Sequence, residues 1–596
     1  MSPKDQQVAK PPSKNWHFPI LRVWVWFAEL VALSELQVTL IWAGLIGFLG
    51  ALASVGFRNL AQWVHWLLTQ HTGSLVESFT QLPAWQRLLL PVVGGLLAGV
   101  TLSFGHRIKS AKSSTDYMEA IVLGDGVIPS RLSLVKCVSA LFSIASGASI
   151  GREGPLVQLS AMIASLVGRL RKMPTVRLRL LVACGAAAGI ASAYNAPIGG
   201  ALFVSEIILR SLAMESFGPL VFSSVIATLT VRQLLGASAL YEISIPAVQL
   251  NSNWEIGLYL LLGVLAGGIA PLFLWSLRAS ERLFEKLPGP GALKLAIGGL
   301  IVGALALRYP QVCGNGYSVI NQILNGQMLW SMLLLLLIFK CVATAATFGS
   351  GAVGGVFTPT LFVGACVGHL FALAAGTFWP GAPLVPSAFT LVGMGALLAA
   401  TTHAPLMAIL ILFEMTLDYQ MILPLMLACV VAHYVSRGFD PKSIYAESLK
   451  RKREGYFDEQ LASLRVADLM KANPVSVPES APFAEIAESF IRNHFVNLYV
   501  VDSAQRFRGV ISLHDIKSYL SNKELANIVI ARDLLRSHFP TITPEATLSK
   551  ALTAFSHLDA DRIPVVADVP GQVLIGAISK SDLILALAEQ TKKEEG

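Results

Sequence analysis

The sequence is poor in charged residues for its length. Asp, Glu, Lys and Arg make up only 14% of its 596 residues, whereas an ordinary soluble domain carries about 25%. Nearly half of these charged residues lie from Pro441 onward, and the positions before it are dominated by apolar side chains. This distribution excludes a single soluble enzyme. It predicts a large membrane-embedded body followed by a soluble C-terminal part of domain size.

Cysteine pairs and several catalytic motifs are also missing. The six cysteines include no Cys-x-x-Cys pair, and five of them lie in apolar stretches, which argues against a disulfide framework and a structural zinc site. The sequence contains no His-Glu-x-x-His and no Walker motif, so metalloprotease and ATP-driven pump activities are disfavoured. We therefore predict a protein that is not an enzyme, holds no metal and requires no cofactor.

The net charge of +8 does not indicate a nucleic-acid partner, because the basic residues are not gathered on one aromatic-rich face. Those between Arg169 and Arg179 lie between two apolar segments, and no acid stands among them. Loops on the cytoplasmic side of a membrane have this composition. We therefore interpret the excess of basic residues as a sign of membrane topology, and we expect no nucleic acid to bind.

Apolar segments follow one another almost without a break from Val23 to about Val435. A helix needs about 20 apolar residues to cross a bilayer, and several of these segments are shorter or are interrupted by glycine and proline. Helices that end inside a membrane are tolerated only where their free backbone groups line a cavity. The pattern therefore predicts broken helices around a transport site rather than a simple anchor.

The apolar body contains an internal repeat. The Lys-Cys-Val sequence at 136–138 recurs 204 positions later at 340–342, and small residues that follow it recur at the same offset. Glu206 has a counterpart in Glu414, and an Ala-Pro pair precedes each of these acids. The alternative is chance similarity among small residues. Corresponding glycine-interrupted segments in two halves point to a binding site near the membrane midplane.

One repeated segment has the features of an anion site. Gly-Arg-Glu-Gly-Pro at 151–155 precedes the apolar stretch 156–170, and the proline suits the first turn of a helix. The free N–H groups and partial positive charge of a helix N-terminus bind anions. The Glu153 carboxylate can take the place of an anion while ionised and leave it when protonated; the alternative is an Arg152–Glu153 pair that caps a buried helix. The second half repeats the glycines and proline at 354–359, without an acid.

Together these motifs resemble the chloride channel/transporter (CLC) family over about residues 35–447. The resemblance implies an all-α, multi-pass membrane protein with many tilted and broken helices, in two inverted-topology halves at about 35–235 and 255–447. It also implies a homodimer in membrane lipid, with one path per subunit for chloride and other small anions, and Glu153 as the gating glutamate. The anion-binding residues that the resemblance implies are Ser113, Gly151, Arg152, Gly154, Val356, Phe357 and Tyr445.

Two departures from the family pattern bear on the mechanism. The glycines that usually flank the inner serine are missing around Ser113. Ile207 stands where similar proton-coupled members carry an inner glutamate, directly after the residue that matches Glu206. Isoleucine cannot relay a proton, and we expect Glu206 and Glu414 to bind free backbone amides. We therefore predict a chloride channel of the bacterial inner membrane; the alternative is an H⁺/Cl⁻ antiporter with a displaced inner proton site.

The C-terminal part contains a second repeat, with an offset of 65–67 residues. Gly-Val-Ile-Ser at 509–512 recurs as Gly-Ala-Ile-Ser at 576–579, and an aspartate follows each serine by three positions. Each copy has the pattern of a short strand, an amphipathic helix, two strands and a helix. The pattern therefore predicts a pair of similar α/β domains.

The two copies resemble a pair of CBS domains, at 464–524 and 528–590. The resemblance implies a cytoplasmic pair that binds ATP, ADP or AMP; the alternative is a pair that binds no nucleotide and only stabilises the dimer. We expect residues 1–34 to form a cytosolic N-terminal segment and residues 448–463 a linker. The nucleotide-binding residues that the resemblance implies are Ser512, Asp515, Ser579 and Asp582.

Overall fold

The chain divides into two compact units, Met1–Tyr445 and Ala446–Gly596. The expected N-terminal segment 1–34, the expected linker 448–463 and the candidate Ser113 lie outside the described residues. The computed structural model describes residues 35–108, 116–236, 241, 253–379, 384–445, 464–492, 496–520, 528–537, 539–556, 561–568, 572–583 and 585.

The first half of the membrane unit combines long helices with short ones. They are α1 (Glu35–Thr69), α2 (Leu75–Gln81), α3 (Ala84–Ile108), α4 (Tyr117–Val122), α5 (Ser130–Ala145), α6 (Glu153–Leu170), α7 (Thr175–Tyr194), α8 (Pro197–Leu202) and α9 (Met214–Leu235). Pro197 begins α8, at the position where its missing N–H removes no helical hydrogen bond. A π-helical turn, Phe203–Leu209, continues α8.

The second half repeats the order of α5 to α9 as α13 to α17. Its helices are α10 (Asn253–Lys286), α11 (Gly291–Arg308), α12 (Tyr317–Leu324), α13 (Trp330–Gly349), α14 (Phe357–Phe378), α15 (Pro386–Thr402), α16 (Pro405–Thr416) and α17 (Ile422–Phe439). Proline again stands at the start of α16, as it does in α8. The matching segments found in the sequence therefore fold into matching helices.

Within the described residues, nine helices are long and apolar enough to cross a membrane. With 35 and 34 residues, α1 and α10 exceed the length that a bilayer requires. They must therefore be tilted or extend beyond it. With 6 and 12 residues, α8 and α16 are too short to cross. The predicted all-α membrane body with long and broken helices is confirmed.

The two halves contact each other through equivalent residues. Gly95 of α3 packs against the backbone of Leu295 in α11, and Gly299, its counterpart 204 positions later, packs against the backbone of Pro91. A Cβ atom at either glycine would collide with that backbone, so both close approaches depend on the small residue. Contacts that recur with the partners exchanged are the mark of a two-fold relation. The sequence repeat therefore corresponds to a local two-fold symmetry of the fold.

Glu206 and Glu414 are bound in the same reciprocal way. The Glu206 carboxylate accepts hydrogen bonds from the N–H groups of Leu406 (3.2 Å) and Met407 (2.7 Å) at the start of α16. The Glu414 carboxylate accepts them from the second and third residues of α8, at 2.9 and 2.7 Å. The first N–H groups of a helix have no acceptor within it, and each half supplies one to the other. The expectation that both acids bind backbone amides is confirmed.

The described residues of the C-terminal unit form two three-stranded sheets. In one, β2 pairs in parallel with β3 and β3 in antiparallel with β4; in the other, β6 pairs in antiparallel with both β1 and β5. The predicted α/β class of this unit is confirmed, and the first copy shows the whole predicted order of elements, whereas the described part of the second copy shows its central helix and two strands. The elements are β1 (Lys471–Ala472), β2 (Ser476–Pro478), α18 (Phe483–Arg492), β3 (Asn497–Val501), β4 (Phe507–Ser512), α19 (Leu513–Leu520), α20 (Ala531–Leu534), α21 (Leu548–Ser556), β5 (Arg562–Val566) and β6 (Leu574–Ser579).

The two copies exchange their leading segments. Val466, at the start of the first copy, is buried in a core formed with Leu548 and Ile563 of the second. Leu534, at the start of the second copy, is buried with Ile486 of the first. Each copy therefore completes the hydrophobic core of the other, and neither core is contained within one copy of the repeat.

Candidate functional site

The loops before α6 and α14 meet at the centre of the repeat. Gly151 and Gly355 form an antiparallel bridge in which each N–H donates to the other carbonyl, at 2.7 and 3.0 Å. A Cβ atom on either residue would collide with the carboxylate of Glu153. These two glycines thus bring the starts of two helices together and leave room for one carboxylate between them.

The carboxylate of Glu153 occupies the N-terminus of α14. One of its oxygens accepts hydrogen bonds from the N–H groups of Phe357 (3.0 Å) and Thr358 (3.3 Å), and the other oxygen accepts one from the Thr358 hydroxyl (3.3 Å). The side chain is buried, with 4% of its surface exposed. The carboxyl group is therefore held by two backbone amides and a hydroxyl at a helix N-terminus, which is an arrangement that binds anions in general.

The predicted residues from the two repeated loops lie together. Gly151, Gly154 and Phe357 adjoin the Glu153 carboxylate or its bridge, and Gly154 approaches the backbone of residues 354–355. The guanidinium of Arg152 lies over the ring of Tyr317, 5.6 Å from its centroid, in a cation–π contact. Val356 caps the start of α14 and is buried.

Polar side chains on α13 hold these loops in place. Ser149 contacts Thr344 through their hydroxyl oxygens at 3.1 Å. The ammonium of Lys340, which is fully buried, donates to the Gly314 carbonyl at 2.7 Å, and the Gly314 N–H donates to the Gly147 carbonyl at 3.2 Å. The loop before α6 is therefore tied to the second half of the protein through Lys340 and Thr344, which lie one helical turn apart on α13.

The inner residues of the predicted path are only partly described. Tyr445 follows α17, and its ring packs edge-to-face against Phe203, with centroids 5.5 Å apart. Phe203 begins the π-helical turn after α8, so Tyr445 contacts the first half of the membrane unit. Ser113, the other inner candidate, lies outside the described residues.

Two residues near Glu153 were missed by the sequence reasoning. Thr358 donates its hydroxyl to the carboxylate, and the Tyr194 hydroxyl lies 3.2 Å from the Thr358 hydroxyl. Both side chains are fully buried. A threonine and a tyrosine in apolar helices carry no distinctive pattern, and only the matching of residues 354–359 to 150–155 gave any signal for Thr358.

The second CBS copy places its predicted residues in a polar cleft. The Ser579 side chain accepts a hydrogen bond from the Asp582 N–H at 3.0 Å, and Lys471 forms an ion pair with the Asp582 carboxylate at 3.0 Å. Ser579 and then Lys471 hold the pKa of Asp582 below its ordinary value, so the carboxylate is ionised at neutral pH. Polar residues that line the cleft are Lys471, Asn473, Asn497, Tyr499, Arg562 and Asp582.

The first CBS copy has a similar arrangement. Ser512 accepts a hydrogen bond from the His514 N–H at 3.3 Å, and the Asp515 carboxylate accepts one from the Arg536 guanidinium at 2.6 Å. Each of the two predicted aspartates is therefore paired with a basic side chain. A cation so placed can also contact a bound phosphate group.

Comparison with protein families identifies both units. Residues 94–437 match the voltage gated chloride channel family, and residues 466–522 and 531–589 each match the CBS domain family. The first match lies within the membrane unit, and the other two lie within the C-terminal unit.

Curated relatives cover the membrane unit. The chain is 52% identical over 416 residues to a ClcB-like chloride channel protein of Ralstonia nicotianae, over 69% of this chain and 96% of that protein. It is 42% identical over 409 residues to the voltage-gated ClC-type chloride channel ClcB of Salmonella typhimurium, over 68% of this chain and 97% of that protein.

Solved structures share the fold. A slow cyanobacterial Cl⁻/H⁺ antiporter is 28% identical, with a TM-score of 0.62 over 71% of this chain and 99% of that one. A eukaryotic CLC transporter is 20% identical, with a TM-score of 0.58 over 92% of this chain and 99% of that one, and supports the fold alone. The family match covers more than half of the chain, and the curated relatives match over nearly their whole length. The chain therefore belongs to the CLC family of chloride channels and transporters and carries a pair of CBS domains.

Proposed function

We propose that chloride and other small anions pass through this protein at the position now taken by the Glu153 carboxylate. The observation that carries the proposal is the binding of this buried carboxylate by the N–H groups of Phe357 and Thr358. A chloride ion in the same place receives the same donors. These donors are neutral, whereas the full positive charge of a lysine or arginine would hold the ion too tightly for rapid exit.

The repeat itself supplies a reason for an anion at this place. Glu206 and Glu414 are equivalent acids, and each satisfies a helix N-terminus in the other half. The pair Glu153 and Phe357, also 204 positions apart, differs from this. Glu153 accepts hydrogen bonds from the start of α14, but Phe357 has no carboxylate that could bind the start of α6. The start of α6 thus receives no acid from the second half, and its partial positive charge adds to the attraction for an anion at this place.

Glu153 acts as the gate in this proposal. Its ionised carboxylate competes with chloride for the N–H groups of α14, because both are anions that need the same donors. Protonation removes the charge, weakens those hydrogen bonds and frees the site. Tyr445, which packs on Phe203, is the proposed inner ligand, and the family resemblance assigns the same role to Ser113.

We further propose that transport is passive, as in a channel. Coupled exchange needs a protonatable group accessible from each side of the membrane, and Glu153 supplies one. Ile207 is buried and cannot titrate, and both oxygens of Glu206 accept backbone hydrogen bonds. The similarity to a solved Cl⁻/H⁺ antiporter makes exchange the second candidate, with Glu206 as the displaced inner site.

The family and the composition support a proposal about assembly and placement. We propose a homodimer in the bacterial inner membrane, with the CBS pair in the cytoplasm and with no enzymatic activity or required cofactor. The basic, acid-free loop between α6 and α7 is consistent with a cytoplasmic position for that loop.

The CBS pair is proposed to bind an adenine nucleotide. Asp582 lies in the polar cleft beside Lys471 and Arg562, so the cleft offers a carboxylate for ribose hydroxyls and cations for phosphates. Asp515 and Arg536 offer the same pair of groups in the first copy. We propose that nucleotide binding at this pair regulates transport.

Replacing Glu153 with glutamine should remove the pH dependence of chloride flux. Glutamine mimics the protonated gate, so flux at neutral pH should match that of the wild type at acidic pH. The wild type should lose up to about tenfold per pH unit once its carboxylate is mainly ionised, as expected for one titrating group. Chloride efflux from proteoliposomes measures this. Glu215→Gln, an exposed acid in α9, is the control, and a Glu153→Gln protein that keeps steep acid activation rules out Glu153 as the gate.

A chloride gradient should not drive protons uphill through this protein. The reason is that Ile207 cannot titrate and Glu206 is occupied by backbone amides. Proton movement is followed with a pH-sensitive dye while chloride flows from loaded proteoliposomes. Uphill proton movement would contradict the channel proposal. If Glu206→Gln abolishes the uphill proton movement, Glu206 is the inner proton site. If the proton movement persists in that variant, protons reach Glu153 by a water-filled route.

Binding of ATP, ADP or AMP should weaken when either CBS aspartate is changed. Asp515→Asn and Asp582→Asn should each cost about 1–3 kcal/mol, as for a hydrogen bond to a charged group. Calorimetry on the full-length protein measures this, and Glu488→Gln on α18, an exposed acid paired with Arg492, is the control. If the wild type binds none of the three nucleotides at millimolar concentration, the pair has a purely structural role.

A further inference from the structure

A hydroxyl group contacts the Glu153 carboxylate oxygen that the two amides do not bind. Thr358 is the second residue of α14, and it contacts Glu153 twice: its N–H lies 3.3 Å from one carboxylate oxygen, and its Oγ1 lies 3.3 Å from the other. Its side chain is fully buried. The hydroxyl therefore binds the same anionic group that the helix N-terminus binds.

Thr358 uses its hydroxyl differently from the next threonine in the same helix. Thr360 donates its hydroxyl to the carbonyl of Val356 at 2.8 Å, within its own first turn. This is the usual local partner of a threonine in a helix. The hydroxyl of Thr358 points out of the helix instead and takes part in the gate, so the two neighbouring threonines form a natural comparison.

A second hydroxyl lies behind the first. Tyr194 is the last residue of α7, its oxygen is 3.2 Å from Thr358 Oγ1, and its ring packs against Phe357 with centroids 4.7 Å apart. The side chain is fully buried, and Tyr317 lies beside the same pair of hydroxyls. The ring contact fixes the direction in which the Tyr194 hydroxyl points.

The direction of the hydrogen bonds follows from the number of protons. A hydroxyl has one proton to donate, and an ionised carboxylate only accepts. Thr358 gives its proton to Glu153, so its oxygen must accept the proton of Tyr194. The chain therefore runs from Tyr194 to Thr358 to Glu153, and each bond in such a chain polarises the next.

We propose that the Thr358 hydroxyl is a ligand of the transported anion and that Tyr194 is a positioning residue, which orients and polarises that hydroxyl. When the carboxylate leaves, an anion in its place receives three donors: the N–H groups of Phe357 and Thr358 and the hydroxyl of Thr358. This inference rests on the proposed function, because it assumes that Glu153 and the anion share one site.

Chloride affinity in a Glu153→Ala background tests the inference, because that change empties the site at any pH. Calorimetry on the full-length protein in detergent should show that Thr358→Val weakens chloride binding about tenfold, as expected for a hydrogen bond to a charge. Thr358→Ser keeps the hydroxyl and should bind chloride nearly as the parent does. Thr360→Val removes a buried hydroxyl that faces its own helix, and it should leave the affinity unchanged.

Tyr194→Phe separates positioning from packing, because it removes one oxygen and keeps the ring. It should weaken chloride binding about threefold when Thr358 is present and have no effect together with Thr358→Val, since the tyrosine acts through that hydroxyl. A purely structural role would give the same loss in both backgrounds. If the valine variant does not fold, Tyr194→Phe in the Glu153→Ala background still tests the inference, because an unchanged chloride affinity would overturn it.

Two negative results are distinguishable. If Glu153→Ala binds chloride no more tightly than the wild type, the shared site of the proposed function is wrong. If Glu153→Ala gains affinity but Thr358→Val behaves like Thr360→Val, or Tyr194→Phe changes nothing, the hydroxyl chain is not part of the anion site and this inference is overturned.

Discussion

An N–H group at the start of a helix needs an acceptor, and inside a membrane no water is available to provide one. Among the described residues of the membrane unit, three carboxylates meet this need across the two halves of the repeat. Glu206 satisfies α16, Glu414 satisfies α8, and Glu153 satisfies α14. In each case the acid and the helix belong to different halves of the repeat. The short helices, the join between the halves and the proposed anion site all depend on this one kind of hydrogen bond.

The central pair breaks the symmetry of this arrangement, and function follows from the break. Glu206 accepts hydrogen bonds from the start of the helix that carries Glu414, and Glu414 accepts them from the start of the helix that leads to Glu206. These two contacts are equivalent and serve the fold. Phe357 stands where a counterpart of Glu153 would be, so one of the two facing helix starts receives no acid from the other half. An acid held only by neutral donors can give way to a mobile anion of the same charge, because the two compete for the same hydrogen bonds.

Much of the fold and part of the candidate site could be predicted from the sequence, because they follow from local patterns of residues. The repeat, the glycines before Glu153 and the matched pair Glu206 and Glu414 each indicated their structural role from spacing alone. The hydroxyls of Thr358 and Tyr194 were not predictable, because their roles depend on where two distant helices end relative to each other. The exchange of segments between the CBS copies was missed for a similar reason. In the sequence, Val466 belongs to the first copy of the repeat, but in the structure it packs in the hydrophobic core of the second copy.

The central claim is that Glu153 and chloride compete for one site, and the most direct test counts protons when chloride binds. Calorimetric titration of chloride into the wild type, in two buffers with different ionisation enthalpies, measures proton uptake per anion. A carboxylate displaced from its donors by an anion should become protonated, so the account predicts uptake of up to about one proton per chloride, and none in Glu153→Gln. Chloride binding with no proton uptake in the wild type, or with equal uptake in both proteins, would contradict it.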